Sequence, residues 1–173
     1  MELQLCPGTC LLLVCLFLGC GGDDGISAYE QLQRSEQQAV EHIKQIGGEA
    51  VKKNYPLGEG YGVKLAGVTL TDETFTSLAA LGRVPELDLS KSTITDAQMP
   101  RLAEIAGVTF KLDLSHTAIS DAGLTPLADL VLLMDLNLTG TQVSAAAAAK
   151  FKSMRQANPK VMDIAKKNTK ISL

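Results

Sequence analysis

The chain has 173 residues and a formal net charge of −3, with 46% hydrophobic residues, 4% aromatic residues and no tryptophan. This length suits one domain, and aliphatic side chains must build most of its core. The net charge argues against a general nucleic-acid binder, because phosphate binding needs a clustered positive surface. All four cysteines lie in the first twenty residues, so the remainder can hold no internal disulfide, thiolate metal site or catalytic thiol.

The first nineteen residues have the pattern of an export signal. Leu11–Leu18 is an apolar run of eight residues, and a membrane-spanning helix needs ~20. The run ends in Phe17-Leu18-Gly19-Cys20, which resembles a bacterial lipobox, in which a small residue precedes a cysteine that is lipidated and becomes the new N-terminus. We therefore predict a lipoprotein-type signal peptide over 1–19 and lipidation of Cys20.

Two departures from the lipobox pattern keep an ordinary cleaved signal, or a wrongly chosen start codon, as alternatives. The amino-terminal region carries Glu2 and no Lys or Arg, and Phe17 stands where Leu is usual. The glycine after Cys20 resembles outer-membrane sorting of such lipoproteins. Residues 20–26 are glycine-rich and predict a short flexible tether.

Residues 27–62 predict an N-terminal cap made of one helix and one strand. Ser27 is an expected N-cap for a helix over Ser27–Ile46, because Glu30 completes a capping-box pattern and apolar residues follow at helical spacing. Glu49–Lys53 alternates in polarity and predicts a short strand. Asn54–Gly62 contains a proline and three glycines, so we expect a loop there.

Four related segments begin at Val63, Leu87, Leu112 and Leu136, which are 24, 25 and 24 residues apart. Each opens with two apolar residues that flank a polar one. Because side chains alternate along a strand, both apolar residues should point inward. A repeat of this length that begins L-x-L is typical of a leucine-rich repeat, with one strand and one helix per unit. We predict about four such units over 63–157.

Polar residues recur at fixed places in these units. A hydroxyl residue stands where each helix should begin and is expected to cap it: these are Thr71, Thr95, Ser120 and Ser144. An aspartate follows in three units, where the helix dipole favours a carboxylate: these are Asp72, Asp96 and Asp121. Three further hydroxyl residues, which we expect to be buried and to bond backbone groups between units, are Ser92, Thr117 and Thr141.

Residues 158–173 predict a C-terminal cap and tail. The alanine run Ala145–Ala149 occupies a helix position, because alanine is the best helix former. Asn158-Pro159 should end that helix. Val161–Ile164 is then expected to form a closing edge strand, followed by a lysine-rich tail.

The segment Leu112–Leu124 reads LDLSHTAISDAGL and resembles the short leucine-rich repeats of bacterial secreted and lipid-anchored proteins. It is also similar in consensus to the cysteine-containing subclass in F-box receptors, without those cysteines. Ala39–Lys53 resembles the helix-Gly-Gly-strand unit that opens such bacterial domains. The resemblance implies an α/β solenoid with a parallel sheet on its concave face, helices on its convex face and an N-terminal capping helix. It also implies a binding or scaffolding role without catalysis or cofactors.

The expected binding surface is the concave face of the sheet. Outward positions of the predicted strands would form three columns there: Lys64, Asp88, Asp113 and Asn137 in the centre, Glu86, Lys111 and Asp135 on one flank, and Ala66, Ser90, Ser115 and Thr139 on the other. The partner would be an unknown protein or envelope component, bound by a monomer. The alternative is a solvated face on which Glu86, Lys111 and Asp135 pair with one another.

Asp88 and Asp113 should be neighbours on successive strands, where like charges repel. Lys64 and Lys111 are the expected relief for that repulsion. The alternative is that the carboxylates of Asp88 and Asp113 weakly bind a cation or a basic ligand. Two carboxylates provide too few ligands for a tight metal site.

Two other classes of function are weaker. An intracellular adaptor similar to the repeat part of an F-box receptor would need a helical F-box segment, and only one helix precedes the repeats. An enzyme is not indicated, because His42 and His116 are the only histidines and no catalytic or metal-ligand spacing occurs. We therefore expect a non-enzymatic binding protein of the bacterial cell envelope, lipid-anchored at the outer membrane or cell surface, or secreted.

Overall fold

The computed structural model describes residues 28–106 and 109–173, which form an α/β structure with six α-helices on one mixed sheet of six strands. Short 3-10 turns at Asp96–Gln98 and Asp121–Gly123 lead directly into the third and fourth of these helices. The helices are α1 (Ala28–Gln45), α2 (Asp72–Ala80), α3 (Met99–Ile105), α4 (Leu124–Leu127), α5 (Ala145–Ala157) and α6 (Asp163–Asn168). The strands are β1 (Glu49–Tyr55), β2 (Gly58–Lys64), β3 (Glu86–Asp88), β4 (Lys111–Asp113), β5 (Asp135–Asn137) and β6 (Lys170–Ser172). The predicted signal peptide, Cys20, the tether and the Ser27 cap lie outside the described residues.

The strands lie in the order β1-β2-β3-β4-β5-β6, so neighbours in the sheet are also neighbours in sequence. Only β1 and β2 pair antiparallel, and every later pair is parallel. Parallel strands need a crossover connection, and α2, α3, α4, α5 and α6 lie in those connections. Within the described part of the chain, no helix is long and apolar enough to cross a membrane.

The core lies between the sheet and the helices. Both apolar residues of every L-x-L segment are at most 2% exposed, which confirms the predicted inward set: Val63, Leu65, Leu87, Leu89, Leu112, Leu114, Leu136 and Leu138. Helix residues such as Phe75, Leu102 and Phe151 close the core from the other side. Ile105, Val143 and Met154 pack against this core and are partly buried.

The predicted loop at Asn54–Gly62 is wrong, because this segment completes a β-hairpin. β1 runs two residues beyond the predicted strand, and Tyr55 pairs with Gly58 across a two-residue turn. The φ of Gly58 is 105°, which favours glycine. Gly60 lies so close to Pro85 that a Cβ atom there would approach the proline ring to 2.7 Å. Two glycines that looked like loop signals therefore permit a tight turn and a close contact.

The aspartates at the helix starts link successive units, which the dipole argument missed. The Asp96 carboxylate accepts from the backbone N–H of Ser120 at 2.9 Å and from its hydroxyl. Asp121 repeats this arrangement on Ser144, at 2.6 and 2.9 Å. Asp72 instead pairs with Arg101. Three of the four capping hydroxyls behave as expected, since Thr71, Ser120 and Ser144 accept from the N–H groups of Thr74, Ala122 and Ala147.

Of the three hydroxyl residues predicted to be buried, Thr141 is only half-buried, and those that are bonded act within a unit and not between units, which corrects the prediction. The Thr117 hydroxyl donates to the carbonyl of Leu114 at 2.6 Å, and Thr141 donates in the same way to Leu138. Ser92 is also buried, but its hydroxyl has no hydrogen-bond partner among the described residues. The Thr117 and Thr141 hydroxyls therefore each donate to the backbone of the turn that follows the strand of their own unit.

The C-terminal segment differs from the predicted edge strand. α5 ends at Ala157, as Asn158-Pro159 indicated, but α6 begins at Asp163 where a strand was expected. The edge strand is instead β6 (Lys170–Ser172), in which Ile171 pairs with Leu136 and continues the inward column.

Candidate binding face on the sheet

The face of the sheet away from the core, called here the sheet face, carries exposed and half-buried side chains in register-matched columns. The strand register matches the predicted columns and extends them to β6. The centre column is Lys64, Asp88, Asp113, Asn137 and Ser172. The flank column is Gly62, Glu86, Lys111, Asp135 and Lys170. Ser172 and Lys170 were not expected, because the edge strand was placed elsewhere in the sequence.

An open depression of ≈ 450 Å³ lies over these two columns. Besides the column residues, Glu49, Val51 and Lys53 of β1 line it. These β1 residues are two positions apart and therefore share one face of the strand. The depression thus extends across the whole sheet, from the hairpin to β6.

The third predicted column contributes less surface. Ala66 and Thr139 are exposed and Ser90 is half-buried. Ser115 is only 7% exposed, so its place in the predicted binding surface is wrong. Its backbone N–H donates to Asp113 Oδ1 at 2.8 Å. Ser115 therefore supports a carboxylate of the centre column and offers little surface to a ligand.

Glu86 is the most connected side chain of the sheet face. Its carboxylate lies 3.4 Å from Lys111 Nζ and 3.6 Å from Lys53 Nζ, and it accepts a hydrogen bond from the Tyr55 hydroxyl at 3.2 Å. A Cβ atom at Gly62 would lie 3.0 Å from the Tyr55 hydroxyl, so the missing side chain leaves room for this contact. Sequence reasoning missed Tyr55 and Lys53, although their spacing with Glu49 and Val51 was a usable signal.

These contacts shift the pKa values of the two partners in opposite directions. Burial, and then the neighbouring charge of Glu86, raise the pKa of Tyr55 to about 12. Burial opposes ionisation of Glu86, but hydrogen bonds and positive charge from Lys111, together with Tyr55 and Lys53, outweigh it and lower the pKa of this carboxyl. Glu86 is therefore held as a carboxylate and Tyr55 as a neutral phenol.

The centre column satisfies its carboxylates mainly with hydrogen-bond donors. Asp113 accepts from the Ser115 N–H and, at 2.9 Å, from Asn137 Nδ2. Burial would raise the pKa of Asp113, but hydrogen bonds from the side chain and backbone of Ser115 and from Asn137, together with the nearby His116, lower it. Asp88 accepts from the backbone N–H of Ser90 at 2.9 Å.

The lysines expected to relieve repulsion between Asp88 and Asp113 pair elsewhere. Lys64 Nζ lies 3.0 Å from Glu49, and Lys111 pairs with Glu86. The donors that contact Asp88 and Asp113 weaken the argument that a cation must be drawn to them. Among residues 28–106 and 109–173, no group of three or more His, Cys, Asp or Glu side chains could together hold a metal ion.

The predicted triple of Glu86, Lys111 and Asp135 forms only in part. Lys111 pairs with Glu86, whereas the half-buried Asp135 carboxylate makes no hydrogen bond or ion pair with another residue of the described ranges. The alternative of a fully self-paired face is therefore wrong for this column. Asp135 lies between Lys111 and Lys170 in the flank column but forms a close ion pair with neither.

The turns that follow the strands share one unusual backbone conformation. The φ values are 72° at Gly67, 57° at Lys91, 56° at His116 and 73° at Gly140. Backbone N–H groups in these turns donate to the next unit, for example from His116 to the Thr139 carbonyl at 2.8 Å. His116 therefore lies in an exposed turn whose backbone joins two units.

These features define an α/β domain that presents a polar, register-matched face on a mostly parallel sheet. No protein-family model matches the chain, and no curated protein matches it significantly.

Proposed function

We propose that this chain is a non-catalytic leucine-rich repeat module of the bacterial cell envelope, anchored through a lipid on Cys20, that binds a partner on the sheet face. The observation that carries the proposal is the depression of ≈ 450 Å³ across columns of exposed and half-buried polar side chains in matched register.

The repeat architecture is supported by features that recur at the period of the sequence. Strands, left-handed turns and helix starts return every 24 or 25 residues. Each unit also bonds to the next through backbone groups, and Asp96 and Asp121 add side-chain links at the helix starts. Stacked units that contact only their neighbours are the defining property of a solenoid.

The chemistry of the face favours a hydrophilic ligand that carries positive charge. Glu86 is paired, but Asp88, Asp113 and Asp135 are not neutralised by an ion pair within the described ranges. Tyr55 at the hairpin is the aromatic side chain beside the depression. Because tight interfaces are usually anchored by several Tyr, Trp or Arg side chains, we expect weak affinity.

Photo-crosslinking tests the binding surface. A photoreactive amino acid replaces Lys111, which points from the centre of the sheet face, and in a matched control it replaces Lys152, which is exposed on α5. Irradiation of intact cell envelopes should yield a defined crosslinked product from position 111 only. The same product from both positions, or none from position 111 in a folded and correctly located chain, would refute the assignment of this face.

Fatty-acid labelling tests the anchor separately. Radioactive palmitate should label the wild-type chain and leave Cys20→Ser unlabelled, because the thiol is the expected acceptor. Cys15→Ser is the matched control and should be labelled like the wild type. Equal labelling of the wild type and Cys20→Ser would reject the anchor without affecting the binding face.

A further inference from the structure

The first two turns of α1 carry apolar side chains that the core does not cover, separated from its buried end by Ser35 and Glu36. Ala39 and Ile43 are buried at 3% and 0% exposure, and α1 packs against β1 and α2 through this end. Leu32 lies on the same side as Ala39 and Ile43, since a helix advances by about 100° per residue. Leu32 is nevertheless 54% exposed, and Tyr29, three residues earlier, is 67% exposed.

Tyr29 and Leu32 are neighbours on the helix surface, so they are not two isolated exposed residues. Residues three apart on a helix contact each other. Among large hydrophobic residues in the described ranges, Tyr29 has the highest exposed fraction. A single exposed leucine needs no explanation. An exposed aromatic-aliphatic pair on the same side of α1 as its buried residues points to a further apolar partner.

The position of the pair along the chain restricts that partner. Ala28 begins α1, and Cys20 precedes it by eight residues. Eight residues span at most about 26–29 Å when fully extended. A lipid on Cys20 would therefore hold the first turns of α1 within that distance of the bilayer surface.

We propose that Tyr29 and Leu32 insert into the interfacial region of the same bilayer that holds the Cys20 lipid. This inference rests on the proposed anchor and adds a second membrane contact to it. Tyrosine suits the interface because its ring is apolar and its hydroxyl is polar. An apolar side chain next to it adds area to an anchor that combines two weak signals.

The absence of tryptophan from the chain provides a direct test. Tyr29→Trp introduces a single tryptophan, which can be excited apart from the remaining tyrosines, into the full lipidated chain. The chain is then reconstituted into phosphatidylcholine–phosphatidylglycerol vesicles. Lipids brominated on the acyl chains should quench the introduced tryptophan, and its emission should shift to the blue. Leu32→Glu in the same background should reduce both effects, because a carboxylate opposes insertion.

Ile164→Trp is the matched control. Ile164 is 56% exposed on α6, at the other end of the sheet from β1, so its exposure is similar but its distance from the anchor differs. Quenching at position 29 and not at position 164 supports the proposal. Equal quenching at both positions overturns it, because adsorption would then be general.

Three other results would also reject the inference. A blue shift that occurs without vesicles and grows with protein concentration would show that positions 29 and 32 contact a second copy of the chain. A blue shift that occurs without vesicles and does not depend on protein concentration would show that these positions contact another segment of the same chain. If mass spectrometry verifies the lipid on Cys20 and the tryptophan at position 29 is not quenched, the membrane contact is refuted but the anchor is not. If the lipid on Cys20 is absent, the anchor is refuted as well.

Discussion

Arg155 is the most informative residue to change, because it is a cation buried without a carboxylate. The residue is 1% exposed on α5, and its guanidinium donates to the carbonyls of Leu130 and Leu133, each at 2.7 Å. It also lies 5.7 Å from the ring centroid of Phe151. Burial lowers its pKa. The side chain thus joins α5 to the segment between α4 and β5.

Replacing Arg155 with methionine keeps much of the volume and removes both donors. Each orphaned buried carbonyl costs ~1–3 kcal/mol. Part of this cost is offset because an unpaired charge no longer has to be buried. We therefore expect Arg155→Met to lower the free energy of unfolding by about 2–4 kcal/mol, and Arg155→Lys, which can reach fewer acceptors, to lower it by a similar or smaller amount.

Urea unfolding followed by circular dichroism measures this change. Arg101→Met is the matched control, because Arg101 pairs with Asp72 on the surface, with 42% of its side chain exposed, and also lies over a phenylalanine ring. The control should cost less than ~1 kcal/mol. An Arg155→Met protein as stable as the control would show that the two carbonyl bonds contribute little, and would refute the reasoning.

Three further outcomes are expected. Leu114→Ala should cost ~2–5 kcal/mol, because Leu114 is fully buried. Leu57→Ala, at a 51% exposed position, should change stability by less than ~0.5 kcal/mol; equal melting temperatures for the two variants would contradict the inward assignment. Lys91→Gly should stabilise the protein by ~0.5–1 kcal/mol, because relief of left-handed strain exceeds the extra freedom of glycine in the unfolded chain, and a lower urea midpoint would count against this. The pKa of Tyr55 is raised from 10.0 to about 12, so its contribution to stability should be complete below pH 10 and lost as the pH rises towards 12. Glu86→Gln should lower the midpoint pH at which Tyr55 ionises, measured by tyrosinate absorbance. An unchanged midpoint would exclude the Tyr55–Glu86 contact.

The inward and outward positions of the repeated strands could be read from the sequence. Alternation is a local property of a strand, and a register shift would expose leucines such as Leu89 and Leu114. The columns of the sheet face follow from the same alternation, since units of 24 or 25 residues place equivalent residues side by side. Helix starts were also readable, because capping by Ser144 or Thr71 involves residues three positions away.

Contacts between distant residues could not be read in this way. Asp96 was attributed to its own helix, yet its partner Ser120 is in the next unit. Tyr55 became part of the sheet face only because the hairpin carries it to Glu86. Sequence patterns report the chemistry of a residue and its near neighbours, but they do not report which distant donor will reach a carboxylate.

The two ends of the sheet were decided by tertiary structure. β2 contains three glycines, a composition that disfavours a strand, but the pairing with β1 and the close approach of Pro85 to Gly60 stabilise an extended chain there. At the other end, Val161–Ile164 had the composition of a strand, yet Ile171 takes the place beside Leu136. The repeated strands were set by their own alternation. The strands at the two ends of the sheet were determined by which segment could pair with the exposed edge of the neighbouring strand. Local sequence preference did not distinguish these segments from others of similar composition.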